Sequence, residues 1–211
     1  MTIQVNAVND APIVDAPDAP LTATEQIDLA IHGTGFAVKD ADEAGSGAVT
    51  TLSVGEGTLT VTPDDSGVSV SSGNGTGSVI LTGTIAEINN LLTASGTGTI
   101  FYNNPSDTPS ASTTLTLTVN DQGNTGLDPG RTGTPTTEED SESVVINITP
   151  VNDPPDITSD GGGATANVNV AENTTAVTDV DATDAEGDGI TYGLAVGWMT
   201  AFLASIRAQE C

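Results

Sequence analysis

The sequence predicts an all-β protein built of tandem Greek-key β-sandwich domains, the first complete with one short helix and the second truncated. Three observations lead there. Short alternating runs of Thr, Val, Ile and Leu recur between clusters of Gly, Asn, Asp and Pro, the pattern of half-buried strands separated by turns. A boundary motif occurs twice: "IQVNAVNDAPIV" at residues 3–14 aligns with "INITPVNDPPDI" at residues 146–157, offset by 143 positions throughout. A period that long describes a string of domains, each with its own core, and not a solenoid of small units. Finally, one stretch in the first repeat, "TGTIAEINNLLTA", replaces alternation with helical spacing.

In both boundary copies an alternating strand ends in Asn-Asp and then meets a Pro, which halts sheet pairing and stiffens the exit. Residues 1–9 are accordingly the last strand of a preceding repeat, and 10–152 a complete repeat. Residues 153–195 are predicted to be the N-terminal part of a second repeat, and because Met1 is followed at once by the alternating, mid-strand pattern of Ile3 and Val5, the chain is predicted to be a piece of something longer. Seven strands are predicted in the complete repeat, in "AVTTLSV", "GTLTVTP", "GVSVSS", "GSVILTG", "GTIFYNN", "STTLTLTVND" and "ESVVINITPVND". In "TGTIAEINNLLTA", Ile85, Ile88, Leu91 and Leu92 fall on one helical face, and Thr84 with Glu87 has the spacing of a capping box. A short helix is predicted there, across one end of the sandwich. The polar, Gly/Pro-rich segment from Asn120 to Glu142 is predicted to be a loop, either a tolerated insertion or a binding loop. The second unit has strand patterns only near 167–171, 175–181 and 189–195, too few for a sandwich of about a hundred residues.

Residues 196–211 change character: they hold the only Trp (Trp198), the only Cys (Cys211) and Arg207. They are predicted to be an aberrant, frameshifted tail. Trp and Met have one codon each, so the shifted frame forces aspartates after Trp198 and Met199, and synonymous codons permit an acidic, β-like continuation. The competing reading is an amphipathic helix with Trp198, Phe202 and Ile206 on one face.

The 29 Asp and Glu against 3 Lys and Arg give a formal net charge of −26, which repels phosphate backbones and excludes nucleic acid as a partner. With 15% charged residues and recurrent β-branched runs, the chain is predicted to fold rather than stay disordered. A single Cys rules out a disulfide framework within the chain, and no Cys/His cluster serves zinc. No signal peptide and no membrane-spanning segment is legible. His32, the sole His, has no nucleophile to serve and is predicted to be a turn or core residue. No nucleophile-base pair is found, so the chain is predicted not to be an enzyme.

What remains is acidic. Asp40 and Asp42, Asp121 after a strong strand, and Asp10 at the boundary are far apart in sequence, but a Greek key can bring them to one end. Oxygen ligands without His or Cys select hard cations, and a loose carboxylate set suits calcium. The segment from Asp184 through Glu186 and Asp188 to Gly189 begins like an EF-hand loop, but Ala195 stands where the closing Glu belongs, which rejects that motif.

The Asn-Asp-Pro boundary, "VDATDAEGD" at residues 180–188 and "VNDQG" at 119–123 together resemble cadherin repeats of the kind found in very large bacterial surface adhesins and secreted repeat proteins. The resemblance covers nearly all of residues 3–194. It implies cadherin/Ig-like sandwiches with Ca2+ at each junction. The first junction would use Asn9, Asp10, Asp40, Asp42 and Asp121. The second would use Glu25, Asn152, Asp153, Asp184 and Glu186. Two departures imply fewer and weaker ions: Pro150 stands where the family's leading Asp would be, and no Asp-Arg-Glu occurs. The function implied is a calcium-rigidified, extracellular, cell-surface spacer or adhesion repeat, whose partners are calcium, neighbouring repeats and a cell-surface or glycan ligand. The alternative is a glycan-contacting accessory module of a secreted hydrolase or lectin.

Overall fold

The computed structural model describes residues 1–4, 10–41, 47–122, 133–134, 137–162, 169, 171–173, 179–196 and 204–210; for 133–134, 137–138, 194–196 and 204–210 it describes the backbone alone. The chain divides into two compact units, Met1–Pro150 and Val151–Cys211.

The first unit contains β1 (Ile13–Asp15), β2 (Leu21–Thr24), β3 (Leu29–Ala30), β4 (Ala37–Lys39), β5 (Gly47–Val54), β6 (Thr58–Thr62), β7 (Ser69–Ser72) and β8 (Ser78–Thr84). The helix α1 (Ile85–Leu92) follows, then β9 (Thr99–Asn103), β10 (Ser112–Asn120), β11 (Gly133–Thr134) and β12 (Thr137–Thr149). One sheet runs β11-β12-β10-β5-β8-β7, with β2 added parallel to β12; the other runs β3-β9-β6, and β1 pairs with β4. The chain crosses between sheets from β5 to β6, returns, and crosses again from β8 through α1 to β9, which makes a sandwich. Every one of the seven predicted runs forms a strand. The short segments β1 to β4 carried no run long enough to be read from sequence.

Alternation explains the core. Leu115, Leu117 and Val119 of β10 point inward with Val144, Ile146 and Ile148 of β12, Leu52 of β5, and Val79 and Leu81 of β8. From the other sheet come Leu59, Val61, Ile100 and Tyr102. Each large apolar side chain so buried stabilises the fold by about 1.5–3 kcal/mol.

The helix forms where its periodicity placed it. Thr84 Oγ1 accepts the Glu87 N–H at 3.2 Å, and a Glu87 carboxylate oxygen accepts the Thr84 N–H at 2.8 Å, completing the capping box. Ile85, Ile88, Leu91 and Leu92 are all buried. Asn89 ties the helix to β4 by accepting the Val38 N–H at 2.9 Å and donating to the Val38 carbonyl at 2.7 Å, in place of a neighbouring strand.

One prediction is corrected here. The segment 120–142 is not all loop, because β12 begins at Thr137 and Glu139 to Glu142 pair with Asn120 to Leu117 of β10. The long strand β10 offers a full edge, and continuing its ladder outweighs the low strand propensity of the acidic residues. Residues 123–132 of that segment lie outside the described residues.

In the second unit, β13 (Asp156–Ile157) pairs with β14 (Ala182–Thr183), and β15 (Ile190–Val196) with β16 (Ala204–Glu210). Strand β15 matches the pattern expected near 189–195; those expected near 167–171 and 175–181 lie mostly outside the described residues. Strand β16 falls within the tail, so the helical reading of that tail does not hold at Ala204–Glu210, where a seven-residue ladder with β15 satisfies the backbone instead. Residues 197–203 and 211 lie outside the described residues. Met1 to Gln4 form no strand, and Ile3 is exposed.

Candidate functional site

Strand direction sorts the acidic residues of the first unit. Strand β1 pairs antiparallel with β4, Ile13 opposite Lys39, so Asp10 and Asp40 lie where one begins and the other ends. Val14 N–H donates to Asp140 at 2.8 Å, and Asp140 sits opposite Val119, one turn of the pleat before β10 ends at Asn120. Asp10, Asp40 and Asp121 therefore belong to the same end of the sandwich. Asp10 and Asp40 line one pocket of about 350 Å³ with Ala11, Ile13, Lys39 and Ala41. Asp121 is 0% exposed and Asp40 half-buried, whereas Asp10 is exposed. Lys39 pairs with Asp15 beside them. Asn9 and Asp42, predicted for the same set, lie outside the described residues.

Glu25 is at the opposite end, because β2 runs parallel to β12 and the two finish together at Thr24 and Thr149. Its position is set by a tight turn: Glu25 N–H donates to the Thr149 carbonyl (3.1 Å), Gln26 N–H to the Asn104 carbonyl (2.7 Å), and Ile27 N–H closes on Thr24 (3.2 Å). Gln26 adopts φ 59°, the left-handed conformation that the third position of a type II turn requires. Glu25 itself is 1% exposed, and neither carboxylate oxygen has a hydrogen-bond partner among the described residues. Leaving a buried polar group without a hydrogen-bond partner costs about 1–3 kcal/mol.

Sequence reasoning missed what surrounds that turn. Asn104, 1% exposed, donates from Nδ2 to Glu56 Oε1 at 2.8 Å and accepts the Ser106 N–H at 3.1 Å. Glu56 also accepts the Ser110 N–H, and its own N–H donates to Thr113 Oγ1 at 3.0 Å. Bonds from Ser110, then from Asn104, hold the Glu56 carboxyl below its ordinary value of 4.5. Burial, followed by the charge of Glu56, pushes the Tyr102 phenol above 10.0. Gly57 has φ 90°, and a Cβ there would meet Tyr102 Cε2 at 2.6 Å and the Asn103 carbonyl at 2.7 Å, so only glycine lets Glu56 turn in toward Asn104. The Gly-Glu-Gly triplet at residues 55–57 is the one signal in the sequence that pointed to a tight turn here.

The second unit gathers its own carboxylates around Asp184. Asp184 Oδ1 accepts the N–H groups of Glu186 (3.1 Å) and Asp188 (2.8 Å), while its Oδ2 is buried with no partner among the described residues. Glu186 Oε2 accepts the Asp153 N–H at 3.3 Å, bringing the boundary motif to the acidic loop. Asn152 does not join them through its side chain, which contacts the Asp153 carbonyl at 3.5 Å. Of the second predicted set, Asp153, Asp184 and Glu186 are thus brought together in this unit. The donor set of both units is carboxylate and amide oxygen, the chemistry of a hard cation such as calcium. His32 serves no such site: its Nδ1 lies 3.0 Å from the Ile100 nitrogen and 2.9 Å from the Ile100 oxygen, and its ring meets Phe101 edge-on.

No helix among the described residues is long and apolar enough to cross a membrane. No family model matches the chain, and neither does any curated protein. Among solved structures, the chain is similar to a cohesin module from a family 33 glycoside hydrolase of Clostridium perfringens, with TM-score 0.32, 12% identity, and 67% of this chain and 99% of that one covered. It is also similar to protocadherin gammaB7 EC3-6, described as a cis-dimer, with TM-score 0.36 and 15% identity; that match covers 97% of this chain and 43% of the other.

Proposed function

We propose that the chain is a calcium-binding, non-enzymatic repeat of an extracellular, cell-surface adhesin, and that the ions stiffen its repeat boundaries. The observation that carries this reading is Glu25: a buried carboxylate with both oxygens unpartnered among the described residues, held by a fully bonded turn at the end where β2 and β12 finish. The bare Oδ2 of Asp184 supports it in the second unit, and the grouping of Asp10, Asp40 and Asp121 at the other end of the first supports a further boundary site. Calcium supplies the positive charge these carboxylates face. The protein's part is to fix them so that an ion meets several at once.

Calcium sites of extracellular modules bind at about 10⁻⁴–10⁻³ M. A hundredfold excess of free calcium over that constant adds about 2.7 kcal/mol per site. Thermal melting of the whole chain in millimolar calcium and in EGTA tests the reading: the melting temperature rises with calcium in the parent and less in Glu25→Gln. An unchanged melting temperature sinks it.

A further inference from the structure

We propose that Asn104 is a positioning residue for Glu25, and that the relay Glu56–Asn104–Gln26 sets the calcium affinity of the Glu25 site. The inference rests on the calcium reading above and deepens it. The Glu25 carboxylate has no hydrogen-bond partner among the described residues, so what holds the residue in place is the backbone of its own turn. That turn has three anchors: the Thr149 carbonyl on Glu25 N–H, the Thr24 carbonyl on Ile27 N–H, and the Asn104 carbonyl on Gln26 N–H. The first two come from strands packed in the sheet. The third comes from a loop, and a loop carbonyl is only as fixed as the residue that bears it.

Asn104 is fixed by its own side chain. Its amide donates to Glu56 and its oxygen accepts from Ser106, so both ends are used in a site 1% exposed. Glu56 is held in turn by Ser110 and by Thr113, the latter inside β10. Gln26 is braced a second time where its Nε2 donates to Asp107 Oδ1 at 2.8 Å. The left-handed Gln26 is strained for a residue with a side chain; it persists because Asn104 and Asp107, from the same loop, hold it. Releasing Asn104 lets Gln26 relax and swings Glu25, one residue away, off its bound position.

Residues that orient ligands without touching the metal typically cost 10- to 100-fold in affinity when replaced. The test is calorimetric titration of the full chain with calcium alone, with Glu25→Gln identifying the Glu25-dependent binding event. Asn104→Ala is expected to weaken that event at least tenfold, and Glu56→Gln, which keeps an acceptor oxygen, to weaken it less. Leu91→Ala, in the core under α1 at the opposite end, is the control: it lowers the melting temperature in EGTA but leaves the affinity unchanged. If the parent and Glu25→Gln titrate identically, the calcium reading at Glu25 fails. If Glu25→Gln loses the event while Asn104→Ala and Glu56→Gln keep the parent affinity, the positioning role alone is overturned. Should Asn104→Ala not fold, Glu56→Gln decides the question by itself. An equal loss of affinity in Leu91→Ala also overturns it, because the effect then follows stability and not the relay.

Discussion

The two units differ in what holds them. The first buries a contiguous cluster running from Val14 to Ile148, drawn from both sheets and the helix. In the second, no described large apolar side chain is fully buried; Ile157 is half-buried and Tyr192 is 49% exposed. Its described order comes from two-stranded pairings, from the Tyr192 hydroxyl accepting the Ala182 N–H at 3.0 Å, and from the backbone wrapped around Asp184. An isolated two-stranded pair is at best marginally stable in water. The lesson is that an oxygen-rich loop organises backbone without a core, but its stability then depends on what neutralises the carboxylates.

Core truncation breaks this comparison most forcefully. Leu115→Ala, at a position 0% exposed between the sheets, is expected to cost about 2–5 kcal/mol. Ile157→Ala in the second unit should leave the main unfolding transition where it was. Differential scanning calorimetry of both variants checks this, and a shift of similar size in both would mean that the second unit has a core after all.

Calcium sharpens the same contrast from the other side. Limited proteolysis in EGTA is expected to cut within residues 179–196 well before the strands of the first unit, and calcium should slow the early cuts. The chelator's effect should be reproduced by Asp184→Asn, which leaves Oδ1 to accept the Glu186 and Asp188 N–H groups but removes the charge. Equal resistance of both units in EGTA would contradict the picture.

Within the first unit the helix cap offers a smaller, local test. Thr84→Ala removes the acceptor for the Glu87 N–H and is expected to cost about 1 kcal/mol. The loss should appear as a lower melting temperature with calcium affinity at the Glu25 end unchanged, since α1 and Glu25 lie at opposite ends of the sandwich.

Much of this architecture was legible because it follows from period and capping chemistry. The runs around Leu115, Leu52 and Leu81 alternate cleanly, and Thr84 with Glu87 marks a helix start by spacing alone. The start of β12 was not legible: Glu139 to Glu142 have the composition of a loop, and only the waiting edge of β10 makes them a strand. The acidic residues could be named but not sorted, because a carboxylate in a solvated turn and one in a buried turn look alike in sequence. What sets Glu25 apart is its burial and the anchoring of its turn by Asn104, a residue 79 positions away that belongs to no motif.

Glu56 yields the smallest effect and the most specific. Its carboxyl is held below the ordinary 4.5 by Ser110 and Asn104, so it contributes stability that is fully present above about 4.5 and is lost as pH falls through the lower folded value. Lowering the pH also relieves repulsion across a chain of net charge −26, so the parent's melting curve alone does not isolate the group. The difference between parent and Glu56→Gln does. Measured in EGTA, the two melting temperatures should be furthest apart near pH 6–7, begin to approach each other as pH falls below about 4.5, and converge only below the lowered folded value, where the parent's Glu56 is protonated in both states and resembles the variant. A gap that stays constant down to pH 3 would show that the Glu56–Asn104–Ser110 bonds owe nothing to the charge, and the relay to Gln26 would then rest on shape alone.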